Sequence, residues 1–243
     1  MAKDICIFKR TEKKYMVSAC QREQLLEEIK EKLTTDKHGS YTICSLYLDT
    51  PTHLLIRNSI DAKKYKEKLR LRSYGTPQDD SRIFFELKKK FDGIVYKRRV
   101  SMSLNEAKKY IHHGIKPFDS QIMAEIDYAM QYYGNPKPSM VIAYDREAFY
   151  AKENKNLRLT FDSNLRYGYE KPSLNPASAV NRLLDTDTYI LEIKSDASMP
   201  LWLTSALDRH NILPTSFSKY GTAYKKILSE KKIKGEFDNA INF

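Results

Sequence analysis

The chain has 243 residues, 41 % hydrophobic and 30 % charged, a globular rather than disordered composition and long enough to bury a substantial core. Its formal net charge of +11 and pI of about 9.3 favour anionic partners such as nucleic acid, acidic lipid, nucleotides or phosphate polymers, without choosing among them. No run of 18 apolar residues exists and Lys3, Asp4 and Lys9 interrupt the N-terminus, so neither a membrane span nor a secretory signal is expected, and a soluble, cytoplasmic protein is.

Ile5 to Val17 reads as a first strand. Ser18, with Gln21 three residues on, reads as the cap of a helix from about Ala19 to Leu33, in which Leu25, Leu26, Ile29 and Leu33 recur at helical spacing. Tyr41 to Asp49 alternates as a strand broken by Thr50-Pro51, and His53 to Ser59 suits a short helix. Tyr65 to Tyr74 and Arg82 to Lys90 are strands, and Asp92-Gly93 signals a hairpin turn into Val95 to Met102. Ser103 and Glu106 form a capping box for a helix carrying Leu104, Ala107 and Ile111 that ends at Gly114. A second helix runs from about Ser120 to Tyr133. Strands return at Met140 to Tyr150, Leu157 to Tyr167 and Thr188 to Lys194, with a polar loop around Pro172 and Pro176. Pro200 opens a helix through Leu207, Ser218 to Leu228 forms the last, and residues 229–243 read as a polar, fraying tail. One domain over 1–228 is the simpler organisation.

The three cysteines Cys6, Cys20 and Cys44 are odd in number and set among apolar neighbours, so reduced, buried thiols are expected. No CxxC pair suggests zinc, the five histidines show no ligand spacing, and no GxxxxGK loop is present, so phosphates would be held by side chains.

Ionisable residues occupy alternate strand positions. Lys66, Lys68, Arg70 and Arg72 alternate with Glu67, Leu69 and Leu71; Glu86 and Lys88 flank Leu87; Arg158, Thr160 and Asp162 flank Leu159 and Phe161; Glu192 and Lys194 flank Ile193. Side chains of a strand alternate between faces, so each segment has one charged and one apolar face. Four cations in a row repel one another unless an anion sits among them, which suits the lining of a cavity for a polyanion. About eight strands with too few helices for βα alternation indicate an α+β fold with a largely antiparallel sheet. If the charged faces point outward the apolar faces form an ordinary core; if inward, the sheet closes into a barrel with a polar lumen and helices outside.

In order, RTEKKY (Arg10 to Tyr15), KLRLRSYG (Lys68 to Gly75), FELK (Phe85 to Lys88), YDR (Tyr144 to Arg146), RLTFD (Arg158 to Asp162), LEIK (Leu191 to Lys194) and SFSKY (Ser216 to Tyr220) resemble the VTC domain, the catalytic domain of the vacuolar transporter chaperone family. That domain belongs to the triphosphate tunnel metalloenzymes, related to the CYTH group, and the resemblance extends from Phe8 to about Tyr224. It implies a closed antiparallel β-barrel that binds triphosphate and makes inorganic polyphosphate from ATP with Mn2+ or Mg2+. Family members in membrane complexes carry an SPX domain and transmembrane helices; this chain has neither and looks like a stand-alone catalytic domain, with any membrane-associated partner unknown and no DNA expected.

The resemblance assigns Arg70, Arg72, Lys88, Arg146 and Arg158 as catalytic cations on the phosphates. It assigns Lys14, Lys68, Lys97, Arg99, Ser218 and Lys219 to substrate binding and Glu192 to the metal. Paired guanidiniums on one strand face can each grip phosphate oxygens, and magnesium or manganese commonly bridges one or two carboxylates and substrate phosphates. Glu12 is expected to pair with Lys14. Asp162 and Glu86 are expected as ion-pair partners of arginines more than as metal ligands, while Lys89 and Lys90 read as surface lysines. The position of Ser216 holds a lysine in some polymerising members, which would remove one cationic contact. Three functions follow: a polyphosphate polymerase, a triphosphatase giving the γ-phosphate to water, and a non-catalytic module binding polyphosphate or RNA.

Overall fold

Strand signals and caps settle most of the element boundaries in the computed structural model, which describes residues 11–61, 64–92, 94–196 and 198–233. In chain order these are β1 (Thr11–Ser18), α1 (Ala19–Ile29), β2 (Leu33–Asp49), α2 (Leu54–Ile60), β3 (Tyr65–Tyr74), β4 (Arg82–Phe91), β5 (Ile94–Ser103), α3 (Leu104–His113), α4 (Gln121–Tyr132), β6 (Lys137–Ala151), β7 (Arg158–Gly168), β8 (Asn181–Arg182), β9 (Thr188–Ser195), α5 (Leu201–Arg209), β10 (Pro214–Thr215) and α6 (Lys219–Ile233). Ten strands are therefore present among the described residues, against about eight expected. The two extra are two-residue bridges, too short for any periodicity to register.

Hydrogen bonding orders the strands β10-β1-β9-β7-β6-β2-β3-β4-β5, with β8 added to β7, an open path of pairings with β10 and β5 at its ends. The registered pairs are antiparallel. The sheet-rich antiparallel α+β class is as expected.

Packing divides the described residues into two compact units, one drawn from 11–41, 144–165 and 184–217, the other from 42–143, 166–183 and 218–233. In the first, α1 and α5 cover a core of Tyr15, Val17, Leu25, Ile29, Leu159, Phe161, Leu191, Ile193, Leu203 and Leu207. Helix α1 opens with both halves of the expected capping box: Ser18 Oγ accepts from Gln21 N at 3.2 Å and Gln21 Oε1 accepts from Ser18 N at 3.0 Å. It ends at Ile29 rather than Leu33. A one-turn 3₁₀ helix, Lys30–Lys32, follows, and Leu33 enters the same core as the first residue of β2.

In the second unit, Leu46, Leu48, Leu69, Leu71, Phe85, Leu87, Val100 and Met102 present one apolar face of β2 to β5 to α3 and α4. Their strand neighbours therefore point the other way. Phe91 pairs with Ile94 around the two-residue turn, with Asp92 at φ 45°. Helix α3 keeps its capping box at Ser103 and Glu106 and ends at Gly114, φ 71°, a left-handed conformation in which glycine has no Cβ to strain. Helix α6 continues to Ile233, five residues past the expected end, and residues 234–243 lie outside the described ones.

Cys44 is buried, and its burial pushes the thiol up to about 12, so it is inert at neutral pH. Cys20 is exposed, contrary to expectation: it lies on α1 away from the buried face of Leu25 and Ile29. Cys6, Phe8 and Arg10 fall outside the described residues.

Candidate functional site: two charged clusters

Register builds the cluster of the second unit. Lys68, Lys88 and Lys97 form one cross-strand rung of β3, β4 and β5; Arg70, Glu86 and Arg99 form the next; Arg72, Phe84 and Ser101 the third. Three successive rungs thus carry six cations and one carboxylate on the face opposite the apolar core. The cluster is enclosed at its centre and open at its β5 edge: the side chains of Arg70, Arg72 and Glu86 are 20 %, 11 % and 1 % exposed, those of Lys97 and Arg99 43 % and 34 %.

Glu86 organises them. Arg70 Nε donates to Glu86 Oε2 at 2.7 Å, Lys97 Nζ lies 2.9 Å from Oε1, Arg99 Nε 3.4 Å and Arg72 Nε 3.8 Å away. Burial pushes this carboxyl upward, but Arg70, Arg72 and Lys97 outweigh it and hold the group far below the usual glutamate range. Arg99 lies over the Phe84 ring, 3.5 Å from its centroid, and donates to Tyr74 Oη at 3.3 Å. Lys68 Nζ donates to Ser218 Oγ at 3.1 Å, joining β3 to the residue that precedes α6, and Lys219 opens that helix. The buried Nε atoms of Arg72 and Arg99 find no hydrogen-bond acceptor among the described residues. A buried donor without an acceptor is costly, and an anion's oxygen in the cluster would satisfy it.

The first unit holds a second cluster. Glu192 on β9 stands opposite Lys14 on β1 and Thr160 on β7, while Lys194 stands opposite Glu12 and Arg158. Lys194 Nζ lies 2.7 Å from Glu192 Oε1 and 3.7 Å from Glu12 Oε2. Lys14 Nζ donates to Phe217 O at 3.1 Å and lies 3.5 Å from Glu12 Oε1, the expected pairing. Arg146 grips Asp162 with two hydrogen bonds of 2.5 and 2.8 Å. Arg158 lies 3.5 Å from Asp36, donates to Tyr41 Oη at 3.4 Å, and has a buried Nε without an acceptor among the described residues. Glu192 is 8 % exposed. Burial pushes its carboxyl up, yet Lys194, Arg146 and Lys14 bring it well below the usual range, so it is ionised at neutral pH.

The candidate residues therefore fall into two groups. Lys68, Arg70, Arg72, Lys88, Lys97, Arg99, Ser218 and Lys219 belong to the second unit; Lys14, Arg146, Arg158 and Glu192 belong to the first. Glu86 and Asp162 are ion-pair partners, as expected, and Arg98 turns to Glu125 on α4, leaving Lys97 and Arg99 to share the other face. Lys89 is not an ordinary surface lysine. It pairs at 3.2 Å with Glu67, a carboxylate 4 % exposed on the apolar side of β3. The sequence reading gave no role to Lys194, Asp36 or Tyr47. Lys194 carried the available signal, standing at the alternate position to Glu192 on the same strand.

The residues fit a divalent cation of limited demands. Among the described residues no three His, Cys, Asp or Glu side chains gather, which rules out an all-protein cage there. An ionised, buried Glu192 with Glu12 sharing Lys194 is the one-or-two-carboxylate set that magnesium or manganese uses when phosphate and water supply the remaining oxygens.

Both depressed carboxyls make stability acid-sensitive. A folded-state value below the unfolded one contributes stability that is complete above the ordinary glutamate value of about 4.3 and is lost as pH falls through the folded value. Urea midpoints are therefore expected to hold above about pH 5 and drop steeply below it. The drop should be shallower in Glu86→Gln; an equal slope would show that Glu86 is not held down in the folded state.

The family profile described as the VTC domain matches residues 9–228. No curated protein matches the sequence. Among solved structures, an adenylyl cyclase homologue from Hippeastrum with a dominant triphosphatase activity superposes with a TM-score of 0.57 at 15 % identity, covering 88 % of this chain and 95 % of that one. A protein from Bacillus halodurans assigned as an adenylate cyclase gives 0.52 at 15 % identity, covering 85 % and 92 %. These two likenesses speak to the fold.

Proposed function

Because the chain belongs to the VTC domain family, we propose that it is a metal-dependent polyphosphate polymerase that passes the γ-phosphate of ATP to a growing phosphate chain, within the closed antiparallel tunnel typical of its relatives. The observation that carries this reading is the three-rung array of Lys68, Arg70, Arg72, Lys88, Lys97 and Arg99 around one carboxylate, with buried arginine donors still awaiting an acceptor.

In this reading Arg70, Arg72, Lys88, Arg146 and Arg158 offset charge on the transferred phosphoryl group, and Lys14, Lys68, Lys97, Arg99, Ser218 and Lys219 orient the rest of the substrate. A terminal phosphate oxygen of the chain attacks the γ-phosphorus as the bond to ADP breaks, and ADP leaves with the bridging oxygen. Positioning and charge stabilisation carry most of such a transfer, so no covalent enzyme nucleophile is needed. Glu192, with Glu12 beside it, would hold Mn2+ or Mg2+, which when bound neutralises phosphate charge and polarises phosphorus–oxygen bonds.

The dominant triphosphatase activity of the Hippeastrum protein favours a second reading, in which water replaces the phosphate acceptor. Incubation with ATP and Mn2+ followed by sizing of the phosphate product separates the two. A ladder of polymers is expected; orthophosphate alone would replace the polymerase by the triphosphatase, and no metal-dependent turnover would leave a binding module.

A further inference from the structure

Tyr47 sits against the cation-rich rungs, and none of the motifs gives it a role. It stands opposite Arg70 in the register of β2 and β3. Its hydroxyl oxygen accepts from Arg70 Nη1 at 3.1 Å, and its ring stacks on Tyr220 with centroids 4.3 Å apart. The residue is 6 % exposed. Among the described residues no group accepts the hydroxyl's own proton. A buried O–H that faces a guanidinium donor and has nowhere to donate is poorly served as a neutral phenol.

We propose that Tyr47 is a proton-exchanging contact of the phosphate-binding cluster: a phenol that readily gives up its proton beside Arg70 while the cluster is free, and one held protonated, donating its O–H to an oxygen, when an oligophosphate is bound. The proton comes from solvent on binding and returns to it on release, so charge and atoms balance. This rests on the reading of the second-unit cluster as a phosphate site.

The surroundings support it. Burial pushes the phenol up, but Arg70, Lys68 and Arg72 on β3 outweigh burial and bring it down to about 8. On α6, Tyr220 is raised by burial and by Asp49 and stays neutral, donating to Asp49 Oδ2 at 2.8 Å. Asp49 on β2 is already occupied, accepting also from Thr50 N, Leu55 N and Ile56 N. Glu86 on β4 faces the far side of Arg70. Phosphate oxygens arriving among the three cations would cancel the field that favours phenolate and supply the acceptor that the hydroxyl lacks.

The test uses inorganic tripolyphosphate and the whole chain. Calorimetric titration at pH 8 in buffers of different ionisation enthalpy should count about half a proton more taken up by the wild type than by Tyr47→Phe. Wild-type affinity should fall by up to about tenfold per pH unit above 8, a slope absent from Tyr47→Phe after the ligand's own ionisation is allowed for. Near-ultraviolet absorbance of the wild type should show one tyrosine ionising near 8, shifted upward when tripolyphosphate saturates, a readout that survives even if the variant does not fold. Tight binding with equal proton counts, or no wild-type tyrosine ionising in that range, overturns the inference. Absence of tripolyphosphate binding overturns the phosphate-site reading itself.

Discussion

Replacing Arg146 by alanine is expected to cost about 3–5 kcal/mol of folding stability, because it takes from the buried carboxyl of Asp162 the guanidinium that grips both of its oxygens. Asp162 is wholly buried and Arg146 is 11 % exposed, joined by two charge-assisted hydrogen bonds. For a chain of this size that corresponds to a fall in melting temperature of about 6–20 °C. The size of the effect reflects the cost of a buried carboxyl that loses its guanidinium more than the net worth of the pair. Arg146→Met combined with Asp162→Leu removes both charges and should therefore recover most of the loss. Calorimetry on the two variants decides: a fall of under about 1 kcal/mol for Arg146→Ala would mean that the pair behaves as a surface salt bridge.

Glu192→Gln should lower metal-dependent turnover by at least about 100-fold while leaving oligophosphate affinity within a few-fold. The amide keeps the side chain's shape on β9 but removes the charge that Lys194, Lys14 and Arg146 hold ionised. It can no longer offer a divalent cation an anionic oxygen. Steady-state rates as a function of Mn2+ concentration, with tripolyphosphate binding measured separately, check the outcome. Unchanged turnover would remove Glu192 from the metal assignment, and a matching collapse of affinity would make it a scaffold for the neighbouring lysines.

The strands β3, β4 and β5 were readable because most of their polar and apolar residues alternate with period two, Glu67, Phe84, Lys89 and Arg98 excepted, and α1 and α3 because Ser18 and Ser103 have Gln and Glu three residues on. The first half of β2 was not. Its Thr34-Thr35-Asp36-Lys37 stretch alternates nothing apolar. Missing that half also concealed Asp36, the acidic neighbour of Arg158. Lys89 was misread because it projects from the apolar side of β4 to Glu67 of β3, a cross-strand pairing that only register reveals. Of the candidate site, the cations and Glu192 could be named from their strand positions and the family resemblance. What holds them could not, since the convergence of four cations on Glu86 depends on three strands lying in one register.

Strands β2, β6 and β7 each begin in one packing unit and finish in the other. A gene fragment encoding either unit alone would have to be stitched from three separate stretches, and each of those strands would be truncated in mid-ladder with raw backbone amides left open to aggregation. The chain is for this reason indivisible: mutational damage to one half's scaffold is inherited by the other, and neither charged cluster can be transplanted without the whole.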